Sequence, residues 1–212
     1  EGSQMAGVSI YDPYYPGPMV PVCKIGQNLG VYTQKTYRFY RVLHIEGIPA
    51  SRRMTQDLGA VTSGSTGSAT EITVTNAPEG SLLQVRLSPV DDFECEVAQV
   101  RGTGRFVTNS AGSRVSLFSS AFDPYLAKTT VFILGATRQI FITPINAIGY
   151  NLALTRVRFW GYRYVIERLT PGQEKALQYL TLNKTHELEE ELKTLLKGGL
   201  TATIVPAEGR EA

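Results

Sequence analysis

Histidine, cysteine and charge are all scarce in this 212-residue chain. It has two histidines, two cysteines and one tryptophan, and only 19% of its residues are charged. Each scarcity excludes a class of chemistry. His44 lies in a strand-like pattern and His186 beside glutamates, so each reads as a structural or exposed residue rather than an acid–base partner. Cys23 and Cys95 form no CxxC and no metal spacing. Both lie in apolar patterns, so buried free thiols are expected rather than a disulfide. No HExxH, P-loop, GxSxG or complete GxGxxG occurs. A net charge of +2 does not make the basic footprint of a nucleic-acid binder. No apolar run approaches the ~20 residues of a membrane span, and no secretory leader pattern is read at Glu1. The expectation is a non-enzymatic protein with no cofactor and no metal.

What is present is β pattern. Twenty glycines and eleven prolines spread along the chain supply the many turns that short-stranded folds need. The strongest element is Leu152 to Leu169, LALTRVRFWGYRYVIERL, rich in β-branched and aromatic residues. One parity carries Arg156, Arg158, Trp160, Tyr162 and Tyr164. The other carries Val157, Phe159, Gly161, Arg163 and Val165. Large side chains on both faces predict cover on both faces, as in a sandwich or an assembly interface.

Shorter strands are expected at Val20–Ile25, Val31–Ile45, Glu71–Thr75, Gly104–Thr108, Arg114–Phe118, Thr129–Leu134, Gln139–Ile145 and Thr201–Val205. Residues 47–70 read as a long loop, with the linker-like TSGSTGSAT at 62–70. A hairpin is expected over Leu83–Val97. Shared parity pairs Leu87 with Phe93 and Val85 with Cys95 in the core, and sets Arg86 against Glu94 and Gln84 against Glu96 outside. Thr170-Pro-Gly-Gln173 predicts a helix start with a capping box. A second helix is expected over 184–197, with Leu188, Leu192, Leu195 and Leu196 on one stripe.

The organisation that follows is all-β: a β-sandwich over 19–169, jelly-roll-like, with an extended arm over 1–18 and a helical extension and tail over 170–212. The arm contains YDPYYPGP, whose prolines keep it out of a sheet interior and whose tyrosines suit burial against a neighbour. Tyr11, Tyr14, Tyr15, Trp160, Tyr162 and Tyr164 are therefore the candidate interface residues. The face with Arg156, Arg158 and Trp160 could instead stack bases or sugars, though cover by helices or a neighbouring subunit is the preferred reading. The carboxylates Asp91, Asp92, Glu94 and Glu96 could hold calcium or hydrolyse glycosides, against the simpler reading of a solvated hairpin face.

The arm YDPYYPGP, the loop TSGSTGSAT, the many short strands and the run RVRFWGYRYVIERL together resemble the structural proteins of tailed-bacteriophage virions. That resemblance implies a subunit located in the virion and made in the host cytoplasm. Its partners would be other copies of itself and other virion structural proteins, with no catalysis, no membrane and no nucleic acid. The rival expectation is a carbohydrate- or receptor-binding sandwich that meets a host-surface glycan through exposed aromatics.

Overall fold

The computed structural model describes residues 4–5, 7–13, 18–34, 36–48, 54–62, 70–73, 81–89, 94–99, 105–108, 130–136, 139–145 and 151–209. Its organising element is β12 (Leu152–Arg168), which matches the long run read from the sequence to within one residue. At ~3.3 Å per residue, a strand of this length spans roughly 55 Å. Three antiparallel partners share it. β4 (Thr36–Ile48) and β5 (Met54–Val61) line one edge in succession, from Arg168 back to Gly161 and from Phe159 back to Leu152. β7 (Ser81–Pro89) occupies the other edge along Val157–Tyr164.

Around this core the chain is mostly β, with a mixed sheet and two α-helices. Among the described residues the main sheet has ten strands. From β4 it continues through β3 (Asn28–Thr33), β13 (Ala202–Pro206), β2 (Val8–Ile10) and β1 (Gln4–Met5). From β7 it continues through β10 (Val131–Ala136) to β14 (Glu208–Gly209). β13 runs parallel to both β2 and β3, and β14 runs parallel to β10. A second sheet holds β6 (Thr70–Thr73), β11 (Gln139–Ile145), β8 (Glu94–Gln99) and β9 (Arg105–Thr108), in that order.

Both faces of the middle of β12 are buried. Trp160, Tyr162 and Tyr164 lie on one face. Gly161 and the fully buried Arg163 lie on the other, with Leu83, Val85, Ile133 and Ile48 at neighbouring positions. Arg163 sits across from Glu46 of β4 and donates through Nη1 to Ser81 Oγ at 2.8 Å. Gly161 marks the tightest approach between strands. A Cβ there would lie 2.0 Å from the Gln84 carbonyl oxygen and 2.9 Å from Val85 Cα. No side chain fits that space, so the β12–β7 contact requires glycine.

α1 (Pro171–Thr181) opens with the expected capping box. Gln173 N–H donates to Thr170 Oγ1, and Thr170 N–H donates to Gln173 Oε1. The helix lies on the β2–β13–β3–β4 part of the sheet, where Leu177 joins Val8, Phe39, Leu169, Ala202 and Ile204 in one cluster. Its Glu174 completes the sheet at the point where β12 ends. Leu169 N–H donates to the Phe39 carbonyl, but Phe39 N–H goes to Glu174 Oε2 at 3.0 Å. An antiparallel pair would normally exchange both bonds. Here the carboxylate stands in for the strand that has turned away, with Arg168 paired to it.

Several expectations are corrected. Val31–Ile45 is not one strand but the β3–β4 hairpin, turning at Gln34 with φ 43°. The loop expected over 47–70 contains β5, which owes its extended form to the free edge of β12 rather than to clean alternation in MTQDLGAV. The Leu83–Val97 hairpin does not form: β7 pairs with β12 and β10, and β8 pairs with β11 and β9 in the other sheet. Leu83 and Val85 are core residues as expected, but Arg86, expected outside, is buried too. Parity could not reveal this, because a strand between two neighbours and under two layers buries both of its faces. Phe93 lies outside the described residues, as do Arg114–Phe118 and residues 63–69 of the linker-like loop.

The helix expected over 184–197 is broken into a 3-10 turn, Thr185–Glu187, and α2 (Glu190–Lys197). A continuous helix would stack Glu187 one turn below Glu190 and Glu191, a repulsive spacing. The break instead buries Leu188 and frees Glu189 to meet Lys175 at 3.1 Å. The boundaries at 18 and 169 do not separate the sheet, since β2 from the arm and β13 from the C-terminal extension pair with each other. The arm was expected to avoid sheet structure. Val8–Ile10 enters it because every proline of the arm follows Ile10.

Candidate functional site

The strand expected over Val20–Ile25 is instead a strap without ladder pairing. Pro18 and Pro21 lack the N–H that a strand would need. The strap lies over the tyrosine face of β12 and is held by side chains. Val22 N–H donates to the Tyr164 hydroxyl at 2.9 Å, and that hydroxyl donates to Gln84 Oε1. Gln84 Nε2 closes the circuit by donating to the Val20 carbonyl at 3.1 Å. Beside it, Tyr162 donates to the Met19 carbonyl at 3.4 Å. Each hydroxyl and amide of this set thus answers a backbone group of the strap.

Burial sets the electrostatics. The Cys23 thiol is pushed up from 9.0 to about 12 by loss of solvent, so it stays protonated and unreactive near neutral pH. Cys23 is a free thiol, as expected. The Tyr164 hydroxyl is held well above its usual 10.0, chiefly by burial, with the Val22 N–H bond opposing the rise.

Upstream of the strap, Tyr11 is anchored on its own chain. Its ring meets Phe132 edge-on at 5.4 Å, its N–H donates to the Ile204 carbonyl, and its hydroxyl donates to Thr130 Oγ1 at 3.3 Å. Arg86 Nε donates to the same Oγ1 at 2.9 Å, and Thr130 N–H donates to the Pro13 carbonyl at 2.8 Å. A buried polar knot of Tyr11, Arg86 and Thr130 therefore fixes where the arm crosses β10.

Of the candidate interface residues, Trp160, Tyr162 and Tyr164 come together on one face, but all three are buried within their own chain. That corrects the expectation that exposed aromatics here meet a sugar. The C-terminal helices do not provide the cover: the hydrogen bonds to Tyr162 and Tyr164 come from residues 19–22. Tyr14 and Tyr15 lie outside the described residues, as do Asp91 and Asp92. Glu94 and Glu96 do not face Arg86 and Gln84, because their backbone belongs to β8. His44 and His186 are exposed and far apart in sequence. Thr130 was not singled out from the sequence, and Gln84 and Arg86 were expected on an outer hairpin face rather than in the interior. A signal existed for two of them: Gln84 and Arg86 alternate with Leu83 and Val85, and the two-faced β12 required a partner buried on both sides.

The second feature is a groove of about 920 Å³ at the other end of the main sheet. It is lined by Gly7–Ser9, Gly26–Asn28, Thr194 and Leu195 near the end of α2, and the stretch from Gly198 to Thr203. Backbone, hydroxyl, amide and small apolar groups make up this lining, without an ionisable side chain. Such a lining can bind through hydrogen bonds and shape. Among the described residues no group of three or more His, Cys, Asp or Glu side chains could hold a metal ion, and no helix is long and apolar enough to cross a membrane. No family model matches this chain, and no curated protein is similar to it, so the functional reading rests on these two features alone.

Proposed function

We propose that the chain is a non-enzymatic structural subunit of a virus particle of the tailed-bacteriophage type. It assembles with copies of itself and other virion proteins into a capsid, neck or tail structure. The observation that carries this reading is the groove. Its 920 Å³ offer backbone and neutral polar groups beside the starts of β2 and β13, a lining suited to an extended protein segment. Burial of both faces of β12 supports the finer fold reading, a sandwich with jelly-roll character. Low overall charge agrees with a surface that is largely covered in an assembly.

The test is light scattering with electron microscopy of the purified chain over a range of concentrations. Closed rings, tubes or shells of regular size are expected. A chain that stays monomeric throughout and turns over a glycoside or ester substrate would overturn the proposal.

A further inference from the structure

We propose that the strap Met19–Cys23, with Tyr11 ahead of it, is exchanged between copies of this chain, so that each tyrosine face is covered by the strap of a second copy. The inference rests on the assembly reading above and names the contact surface for it. Four observations lead there.

First, the face recognises the strap by groups that do not depend on chain continuity. Tyr162, Tyr164 and Gln84 hydrogen-bond to backbone atoms of Met19, Val20 and Val22, while the Met19, Val22 and Cys23 side chains pack in the same apolar cluster. The same bonds form whichever copy supplies the segment. Second, the strap makes no ladder bond, so lifting it breaks no strand pairing of β12, β7 or β10. Ahead of it, β2 contributes only three residues, paired in parallel with Ala202–Ile204, and β1 pairs with β2. β1, β2 and the strap can leave as a unit.

Third, the strap joins the body through a small exposed turn at Lys24–Gln27. Two bonds close it, Lys24 N–H to Gln27 Oε1 at 2.7 Å and Gln27 N–H to the Lys24 carbonyl at 3.1 Å, and two more tie it to β4, Gly26 N–H to the Val42 carbonyl at 2.7 Å and Val42 N–H to the Gln27 carbonyl at 2.9 Å. Gly26 there has φ 87°, and nothing lies within 4 Å of its would-be Cβ. Straightening the turn breaks these four bonds and meets no steric barrier at Gly26. Fourth, a vacated face is a poor surface for water. Gln84 and Tyr164 are both fully buried; they bond to each other, and the Gln84 amide N–H and the Tyr164 lone pair are answered by the strap. The best-fitting occupant is therefore the same segment of another copy, which is how exchange of an identical element builds dimers at low cost.

Turn length decides the test. A strap tethered to its own face acts at an effective concentration in the millimolar range, and that advantage vanishes if the tether cannot reverse direction. In the full chain, deleting Ile25 and Gly26 blocks the reversal, and inserting a short Gly-Ser stretch between them eases it. Light scattering should give the deletion variant twice the chain mass and the insertion variant a single mass. Adding Gln84→Ala and Tyr164→Phe to the deletion variant should lower its dimer affinity at least about tenfold, the cost of losing such bonds.

Equal masses for the two turn variants, or a dimer indifferent to Gln84 and Tyr164, would overturn the exchange. If the deletion variant does not fold, the wild-type chain and the insertion variant are compared at about 1 mM, where exchange competes with tethering. Dimer in the wild type alone is the expected result, and equal dimer fractions would overturn the proposal. Regular particles formed alike by both would keep the assembly reading and remove the exchange.

Discussion

Replacing Glu174 with alanine should destabilise the protein by about 2–3 kcal/mol, mostly through one backbone N–H. Phe39 is fully buried, and its N–H has the Glu174 carboxylate as acceptor at 3.0 Å. Without the carboxylate that donor faces a helix surface that cannot answer it, a loss of about 1–3 kcal/mol. The ion pair with Arg168 adds less, because the Arg168 side chain is 43% exposed and such pairs contribute about 0–1 kcal/mol. Three variants separate the two effects. Glu174→Ala loses both. Glu174→Gln keeps a carbonyl oxygen for Phe39 and should cost only about 1 kcal/mol. Arg168→Ala keeps the carboxylate and should cost under about 1 kcal/mol. Urea unfolding with unchanged slope is the assay, so that midpoint shifts report stability. If Arg168→Ala cost as much as Glu174→Ala, or if Glu174→Ala were neutral, the carboxylate would not be substituting for a strand.

Gly161→Ala should cost at least about 2 kcal/mol, because the Gln84 carbonyl is backbone and cannot step aside without moving β7; a thermal midpoint equal to wild type would refute the close approach. Tyr164→Phe should cost about 1–2 kcal/mol, since it removes an acceptor for Val22 N–H and a donor to Gln84 at once; amide exchange at Val22 should accelerate along with it, and unchanged protection there would contradict the strap contacts. Alkaline pH should destabilise the fold. The native thiol of Cys23 and hydroxyl of Tyr164 titrate above their ordinary values of 9.0 and 10.0, so the unfolded chain releases these protons first. The stability they contribute is complete below those values and falls as pH rises, for Cys23 across the window from 9 to about 12. Each group contributes a slope of up to about 1.4 kcal/mol per pH unit; a Cys23→Ala variant that loses stability as steeply as wild type from pH 9 to 10 would show that the thiol does not contribute.

β12 and α1 were legible in the sequence because their signals are local. Seventeen residues of β-branched and aromatic pattern need no distant partner to be recognised, and a Thr-Pro-Gly-Gln start carries its own cap. Strand pairing was harder. Leu83 and Val85 satisfy the parity of a local hairpin with Cys95, yet β7 goes to β12, about 75 residues on, where Val85 meets the gap left by Gly161. The residues 54–61 show no period of two, and only the vacant edge of β12 makes them a strand. The tyrosine face was found by its residue types. Its cover was not, because the strap is defined by carbonyls and N–H groups that every sequence has, and by Pro18 and Pro21, which say only where a ladder stops.

The shared edge of β12 has a mechanical consequence. β4 and β5 follow one another along one side, and β7 bridges their junction from the other, so every described break between neighbours on one edge is spliced by a continuous partner. Ladder bonds run perpendicular to the strands. A pull along β12 would therefore load many of them in shear together rather than open them one at a time. Between Arg156 and Val165 the strand passes no register shift, so a displacement at one would reach the other. The strand acts as a spliced beam: stiff along its length, with Gly161 at the point where the splice is tightest.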